Sequence, residues 1–157
     1  MGGPALAGYN DLCRTAIERT VQSYVRGLEE LVQLYKTSQP QREYRRSLDQ
    51  ILVLPVLPHA ERSTGRPLSQ TSRRQTIQYW NNCLRGELDL LTKTKHVFFL
   101  DYVDAMACEP SSGSTNNDDQ GYVLRPEYVA DTTHVNAGAV AFLQQAILEC
   151  GCNLKLL

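Results

Sequence analysis

The sequence predicts an α/β protein, a three-layer α/β/α arrangement with a flavodoxin-like parallel sheet and helices on both faces. Three observations carry that expectation. Ile51-Leu52-Val53-Leu54 and His96-Val97-Phe98-Phe99-Leu100-Asp101 are short apolar runs without alternation, as in strands buried on both faces. Each follows a stretch with apolar residues at helical spacing. Strands that alternate with helices imply parallel pairing through helical crossovers. The chain of 157 residues, 42% hydrophobic and 21% charged, has the size and composition of one globular domain.

Asp11, after Gly8-Tyr9-Asn10, is a good N-cap for the first helix. From there Cys13, Ile17, Val21, Tyr24/Val25, Leu28, Leu31/Val32 and Tyr35 form one apolar stripe over residues 12–36, and Thr37-Ser38-Gln39-Pro40 ends it. Residues 41–49 are a polar, basic connection. Pro55 and Pro58 close the first strand, because proline has no N–H to donate to a ladder. A long loop over residues 59–71 precedes the second helix, expected at 72–92, with Ile77, Trp80, Leu84, Leu88 and Leu91 inward. Trp80 reads as core, and Gly86 weakens this helix by about 1 kcal/mol relative to alanine. Residues 109–120, rich in Ser, Gly, Asn and Asp, read as a mobile loop or insertion. The last helix is expected to begin at Asn136 or Ala137, to turn Val140, Leu143, Ile147 and Leu148 inward, and to end at Gly151 as a C-cap.

The net charge of −1 gives no reason to expect nucleic acid as a partner. The basic groups at Arg42, Arg45, Arg46 and at Arg62, Arg66, Arg73, Arg74 have no interleaved aromatics and read as solvated loop charge. No apolar run approaches a membrane span. The five cysteines, Cys13, Cys83, Cys108, Cys150 and Cys152, fit no zinc or redox spacing and read as free, mostly buried thiols. No metal and no cofactor is expected. The thiols lean the chain towards an intracellular compartment, though the compartment itself stays open.

The candidate chemistry centres on Asp131-Thr132-Thr133-His134, just ahead of the last helix. A carboxylate can hold one imidazole nitrogen and leave the other free to take a proton from a nucleophile. The alternative is a capped helix start with a surface histidine. His59, following the first strand, reads as a loop histidine, and His96 as structural. Tyr9 could line a cleft.

Taken together and in order, Gly8-Tyr9-Asn10-Asp11, Ile51-Leu52-Val53-Leu54-Pro55-Val56-Leu57-Pro58, Val97-Phe98-Phe99-Leu100-Asp101 and Asp131-Thr132-Thr133-His134-Val135-Asn136-Ala137-Gly138 resemble the C-terminal part of an SGNH (GDSL-type) hydrolase. The resemblance spans about residues 8–149. It implies that residues 1–157 form one partial domain of that fold, incomplete at its N-terminal side. It implies catalytic roles for His134 as base, Asp131 as its acid partner and Asn10 as a side-chain donor to the oxyanion hole. The implied reaction is hydrolysis of an acyl or acetyl ester, or another small-molecule ester, through an acyl-serine. The family's nucleophile sits in a Gly-Asp-Ser turn upstream of Gly-x-Asn-Asp, and no Gly-Asp-Ser occurs in this sequence. Gly113-Ser114 lies on the wrong side of the motif order to replace it. The reading is therefore an ester hydrolase whose serine is not on this chain, or a catalytically inactive relative that keeps the cleft for binding or assembly. An α/β ligand-binding domain unrelated to esterases is the third alternative. So thin a sheet leaves an open apolar edge, which points to self-association or to pairing with an N-terminal half.

Overall fold

A computed structural model describes residues 3–38, 51–61, 67–91, 97–111 and 121–153. The elements are α1 (Gly3–Ser38), β1 (Ile51–Val53), α2 (Pro67–Leu91), β2 (Val97–Phe99), α3 (Val103–Met106), β3 (Ala107–Cys108), β4 (Val123–Leu124), a 3₁₀ turn (Pro126–Tyr128) and α4 (Ala137–Asn153). The protein is thus mixed helix and strand, with small sheets of two strands. It divides into two compact units, one of Met1–Val53 and Tyr79–Phe99, the other of Leu54–Gln78 and Leu100–Leu157.

In the first unit β1 and β2 pair in parallel, Ile51 opposite Val97, Leu52 opposite Phe98 and Val53 opposite Phe99. The chain between them contains α2, the helical crossover that parallel strands require. Val21, Val25 and Val32 of α1, Leu84 and Leu88 of α2, and Val53 and Val97 of the strands form one buried cluster. Ile17, Leu28 and Trp80 are packed against it, so Trp80 is a core residue. Full burial of each such side chain stabilises by about 1.5–3 kcal/mol. Beside this core the Tyr79 hydroxyl donates to the Glu18 carboxylate, and the Arg14 guanidinium lies 5.4 Å from the Tyr79 ring centroid. Donating to Glu18 pushes the Tyr79 hydroxyl up to about 12.

Two features of α1 differ from expectation. The helix starts at Gly3, so Gly8-Tyr9-Asn10-Asp11 is helical where a turn is expected, and Asp11 is an exposed mid-helix residue rather than an N-cap. Ala5, Leu6 and Ala7 are strong helix formers and Pro4 is tolerated in a first turn, so nothing upstream of Asp11 stops the helix. Tyr24 and Leu31 are exposed, which narrows the inward stripe to Ile17, Val21, Val25, Leu28 and Val32.

The second unit has its own core. Tyr102, Met106, Leu124 and Ala139 are buried, with Leu57, Leu100, Tyr128, Val129, Val135, Phe142 and Leu143 against them. Hydrogen bonds to main-chain carbonyls knit its loops together. The Leu124 N–H donates to the His59 carbonyl at 2.9 Å, the Arg125 N–H to the Met106 carbonyl at 2.9 Å, and the Tyr102 hydroxyl to the Pro55 carbonyl at 3.2 Å. β3 and β4 pair antiparallel, Ala107 opposite Leu124 and Cys108 opposite Val123, so the two ends of the Ser/Gly/Asn/Asp-rich connection are tied together. Residues 112–120 of that connection, with Gly113-Ser114, lie outside the described residues, as do His96 and Arg42, Arg45, Arg46, Arg62 and Arg66.

Several further expectations are corrected. α2 begins at Pro67 rather than near residue 72, because proline suits a first helical turn, where its missing N–H would have had no partner. Arg74 is therefore a helix residue and not solvated loop charge. It is 8% exposed, its Nη2 donates to the Glu61 carbonyl at 2.9 Å, and its Nε meets no partner among the described residues. Gly121, at φ 69°, lies against it, and a Cβ there would come within 2.9 Å of the Arg74 Cβ. Both the positive φ and the close approach require glycine. On α4, Val140, Ile147 and Leu148 are exposed, while Ala139, Phe142 and Leu143 face the core. α4 also continues through Gly151 to Asn153, so that glycine does not end it. Cys13, Cys83, Cys108 and Cys150 are free thiols, but half-buried rather than buried, and burial raises the pKa of Cys83 and Cys108.

Candidate functional site

The loop between the 3₁₀ turn and α4 is closed at its base by a bridge between Val129 and Val135. The Ala130 N–H donates to the His134 carbonyl at 3.0 Å. Within this loop Asp131 turns back on the chain. Its Oδ1 accepts from the Thr133 N–H at 2.8 Å, the His134 N–H at 2.8 Å and the Thr133 hydroxyl at 3.2 Å. Such a short acidic side chain bracing its own loop is an Asx turn.

The same carboxylate holds the histidine ring. His134 Nδ1 is 2.9 Å from Asp131 Oδ1 and 2.8 Å from Oδ2. Thr133 Oγ1 is a third neighbour of Nδ1, at 3.1 Å. With acceptors clustered on Nδ1, the neutral ring carries its proton there and its lone pair on Nε2. Nε2 has no hydrogen-bond partner among the described residues. The side chains are open to water, His134 by 75% and Asp131 by 57%, so hydrogen bonds rather than burial fix the ring. The Thr133 N–H, the His134 imidazole and the His134 N–H, in that order, hold the Asp131 carboxyl well below the usual carboxylate range.

Asn136 sets the direction of the chain as it leaves this loop. Its Oδ1 accepts from the Ala139 N–H at 3.0 Å, which caps α4, and its Nδ2 donates to the Glu127 carbonyl at 2.7 Å. Its N–H donates to the Tyr128 carbonyl at 2.9 Å. A Cβ on Gly138 would come within 3.2 Å of the capping Asn136 Oδ1, so glycine there leaves room for the cap.

Asp131, Thr133 and His134 line a hollow of about 290 Å³. Its apolar wall is Leu57, Pro58, Ala60, Leu124 and Val135. His59 lines it too, from the loop that follows β1. Burial, and secondarily the nearby Arg73 cation, lower the pKa of His59 and favour its neutral form.

The structure therefore brings together two of the three residues marked in the sequence, Asp131 and His134. Asn10 lies within α1 in the first unit, while the Asp131 loop belongs to the second. The side chains of Asn10 and Tyr9 lie outside the described residues. His59 and Thr133 are additions. His59 reads as a loop histidine in the sequence, and its position in the loop after the first strand, next to a Leu-Pro pair, is the signal that could mark it. Thr133 had none beyond lying between Asp131 and His134. Chemically, the site offers an oriented base beside an apolar-walled hollow. Thr133 Oγ1 sits on the Nδ1 side of the ring, away from the nitrogen that would take a nucleophile's proton. Among the described residues no group of three or more His, Cys, Asp or Glu is placed to hold a metal, and no helix is long and apolar enough to cross a membrane. Comparison with protein-family models, with characterised proteins and with solved structures returns no match.

Proposed function

We propose that this chain carries the acid–base half of an SGNH-type ester hydrolase, with Asp131 orienting His134 as the base. The nucleophilic serine is supplied from outside these residues, since no Gly-Asp-Ser is among them. The observation that carries the proposal is the contact of both Asp131 oxygens with His134 Nδ1, which leaves Nε2 as the proton acceptor beside a hollow. In this reading the substrate is a small ester whose acyl part rests on the apolar wall. The serine attacks its carbonyl as Nε2 takes the hydroxyl proton. The fold that accompanies the reading is the three-layer flavodoxin-like arrangement, supported by the parallel register of β1 and β2 across a helical crossover. Asn10 is the oxyanion donor in this reading, on sequence order alone. Among the described residues no strand pairs with the outer edges of the β1–β2 sheet, and in this reading a second copy or an N-terminal half would add there.

The test is labelling with a fluorophosphonate probe together with hydrolysis of 4-nitrophenyl butyrate. This chain alone is expected to show neither serine labelling nor His134-dependent turnover. A product extended upstream with a Gly-Asp-Ser turn is expected to show both, and His134→Ala is expected to slow its turnover by roughly 100- to 10,000-fold. Turnover that survives His134→Ala rules the reading out.

A second reading has its own observation. Asp131 Oδ1 is already occupied by two loop amides, so the carboxylate has a structural task that needs no catalysis. That favours a non-catalytic binding or assembly domain, and the same assay identifies it by the absence of labelling in the extended product.

A further inference from the structure

Two histidines seventy-five positions apart line one small hollow, and only His134 has a role so far. His59 arrives there on a constrained segment. Pro55 and Pro58 restrict the backbone just before it, the Pro55 carbonyl is held by the Tyr102 hydroxyl, and the His59 carbonyl is held by the Leu124 N–H. Its neighbours Pro58 and Ala60 are buried. The imidazole therefore hangs from an anchored backbone beside an apolar wall, whereas His134 hangs from an exposed loop. Apart from the histidines, the hollow's polar lining is Asp131 and Thr133, and both of those are engaged with each other and with the His134 ring.

From this we infer that His59 is a ligand-binding residue of the hollow, an N–H donor to the carbonyl oxygen of an ester whose hydrocarbon part lies on Leu57, Leu124 and Val135. This rests on the ester-hydrolase reading of the site and adds a donor on the lining of the hollow itself, where that reading has Asn10 on sequence order alone. A bound carbonyl needs a donor. His134, with its proton on Nδ1 and its lone pair on Nε2, offers none to the hollow. A neutral His59 has one N–H to give, and its charge state suits the position. When His134 takes a proton it becomes a cation, and a second cation across the same hollow would oppose that step. Burial, and secondarily Arg73, lower the His59 pKa, which favours its neutral form and eases the conflict.

Titration of the full chain, labelled with ¹⁵N-histidine, with methyl butanoate provides the test, read by the ring nitrogens of both histidines. Methyl butanoate is expected to shift the protonated nitrogen of His59 and to perturb Nε2 of His134. His59→Phe keeps a flat ring but loses the donor, and is expected to weaken binding roughly 3- to 10-fold, the worth of one neutral hydrogen bond. His59→Gln keeps an N–H and is expected to bind within about twofold of wild type. Absence of binding, binding that moves His134 but not His59, or equal losses in the Phe and Gln variants would each overturn the role of His59. The reading of His134 is scored separately in the ligand-free spectrum. If that ring is protonated on Nε2, the acid–base proposal fails whatever methyl butanoate does.

Discussion

The carboxylate of Asp131 has two tasks, closing a loop and orienting a ring, and a single substitution separates them from the rest of the fold. Removing it in Asp131→Ala leaves His134 Nδ1 with the Thr133 hydroxyl as its one side-chain neighbour. The expected result is loss of the Nδ1–H tautomer in favour of Nε2–H, read from the ring ¹⁵N shifts, with α4 intact because Asn136 caps it independently. The pH dependence has a definite sign. A depressed carboxyl pKa means that the loop's contribution is complete above the ordinary aspartate value, near 3.9, and is lost as pH falls through the lower folded value. The Asp131 carboxyl ¹³C shift is expected to titrate below about 3.9, with the Thr133 and His134 amide shifts moving on the same midpoint. A midpoint at or above that value contradicts the bonding described for the loop. His59 has the same sign of pH dependence, in a higher pH window. Its folded pKa lies below the unfolded value of about 6.5, so the unfolded chain binds more protons between the two. Stability is expected to fall as pH drops below about 6.5 and to level off below the folded value. Urea midpoints measured from pH 7.5 to 5 check this, and His59→Gln is expected to flatten that part of the curve.

At the scale of elements, the helices divide into what sequence periodicity settles and what it leaves open. The inward stripe of α1 was legible because Ile17, Val21, Val25, Leu28 and Val32 recur every three or four residues against charged neighbours. Its start was not legible, because a capping aspartate and a helix former compete at the same place and local propensity cannot rank them. α4 shows the converse. Its residues Val140, Ala141, Phe142, Leu143, Ala146, Ile147 and Leu148 are apolar nearly all round, so no single face stands out, and the core took Phe142 and Leu143 while Ile147 and Leu148 face water. The pairing of β3 with β4 involves two residues a side, too few for an alternating pattern to register. In the candidate site, the Asp131–His134 contact was legible as a spacing, whereas His59 joined it through tertiary structure that no local pattern encodes. Gly86 was legible as a weak point, and the structure makes it testable. A Cβ at Gly86 or at Gly27 meets nothing within 4 Å, and neither has a positive φ. Gly27→Ala and Gly86→Ala are each expected to raise stability by about 0.5–1 kcal/mol in chemical denaturation, with the slope unchanged. A loss of stability at either position would mean that the exposed face of that helix is covered by something in solution.

At the scale of the whole molecule, the chain crosses between its two units after Val53, Gln78 and Phe99. Two of these crossings are at strand ends, but the third falls inside α2. One continuous helix of 25 residues therefore gives Arg74 to the second unit and Leu84 and Leu88 to the core of the first. Helix formation is cooperative, so melting its N-terminal turns removes backbone bonds that support the next ones. The sole tryptophan, Trp80, lies just past the crossing, against the first core, and its fluorescence reports that unit. Met106, fully buried in the second core, is the residue to perturb. Met106→Ala is expected to cost about 2–5 kcal/mol where it acts. Because α2 is shared, the midpoint seen by Trp80 fluorescence is expected to fall together with that seen by the Asp131 and His134 resonances of the second unit. Leu88→Ala, placed in the first core, is expected to move both probes in the same way. If Met106→Ala moves the histidine resonances and leaves the Trp80 transition where it was, the two units are independent folding units and α2 does not couple them.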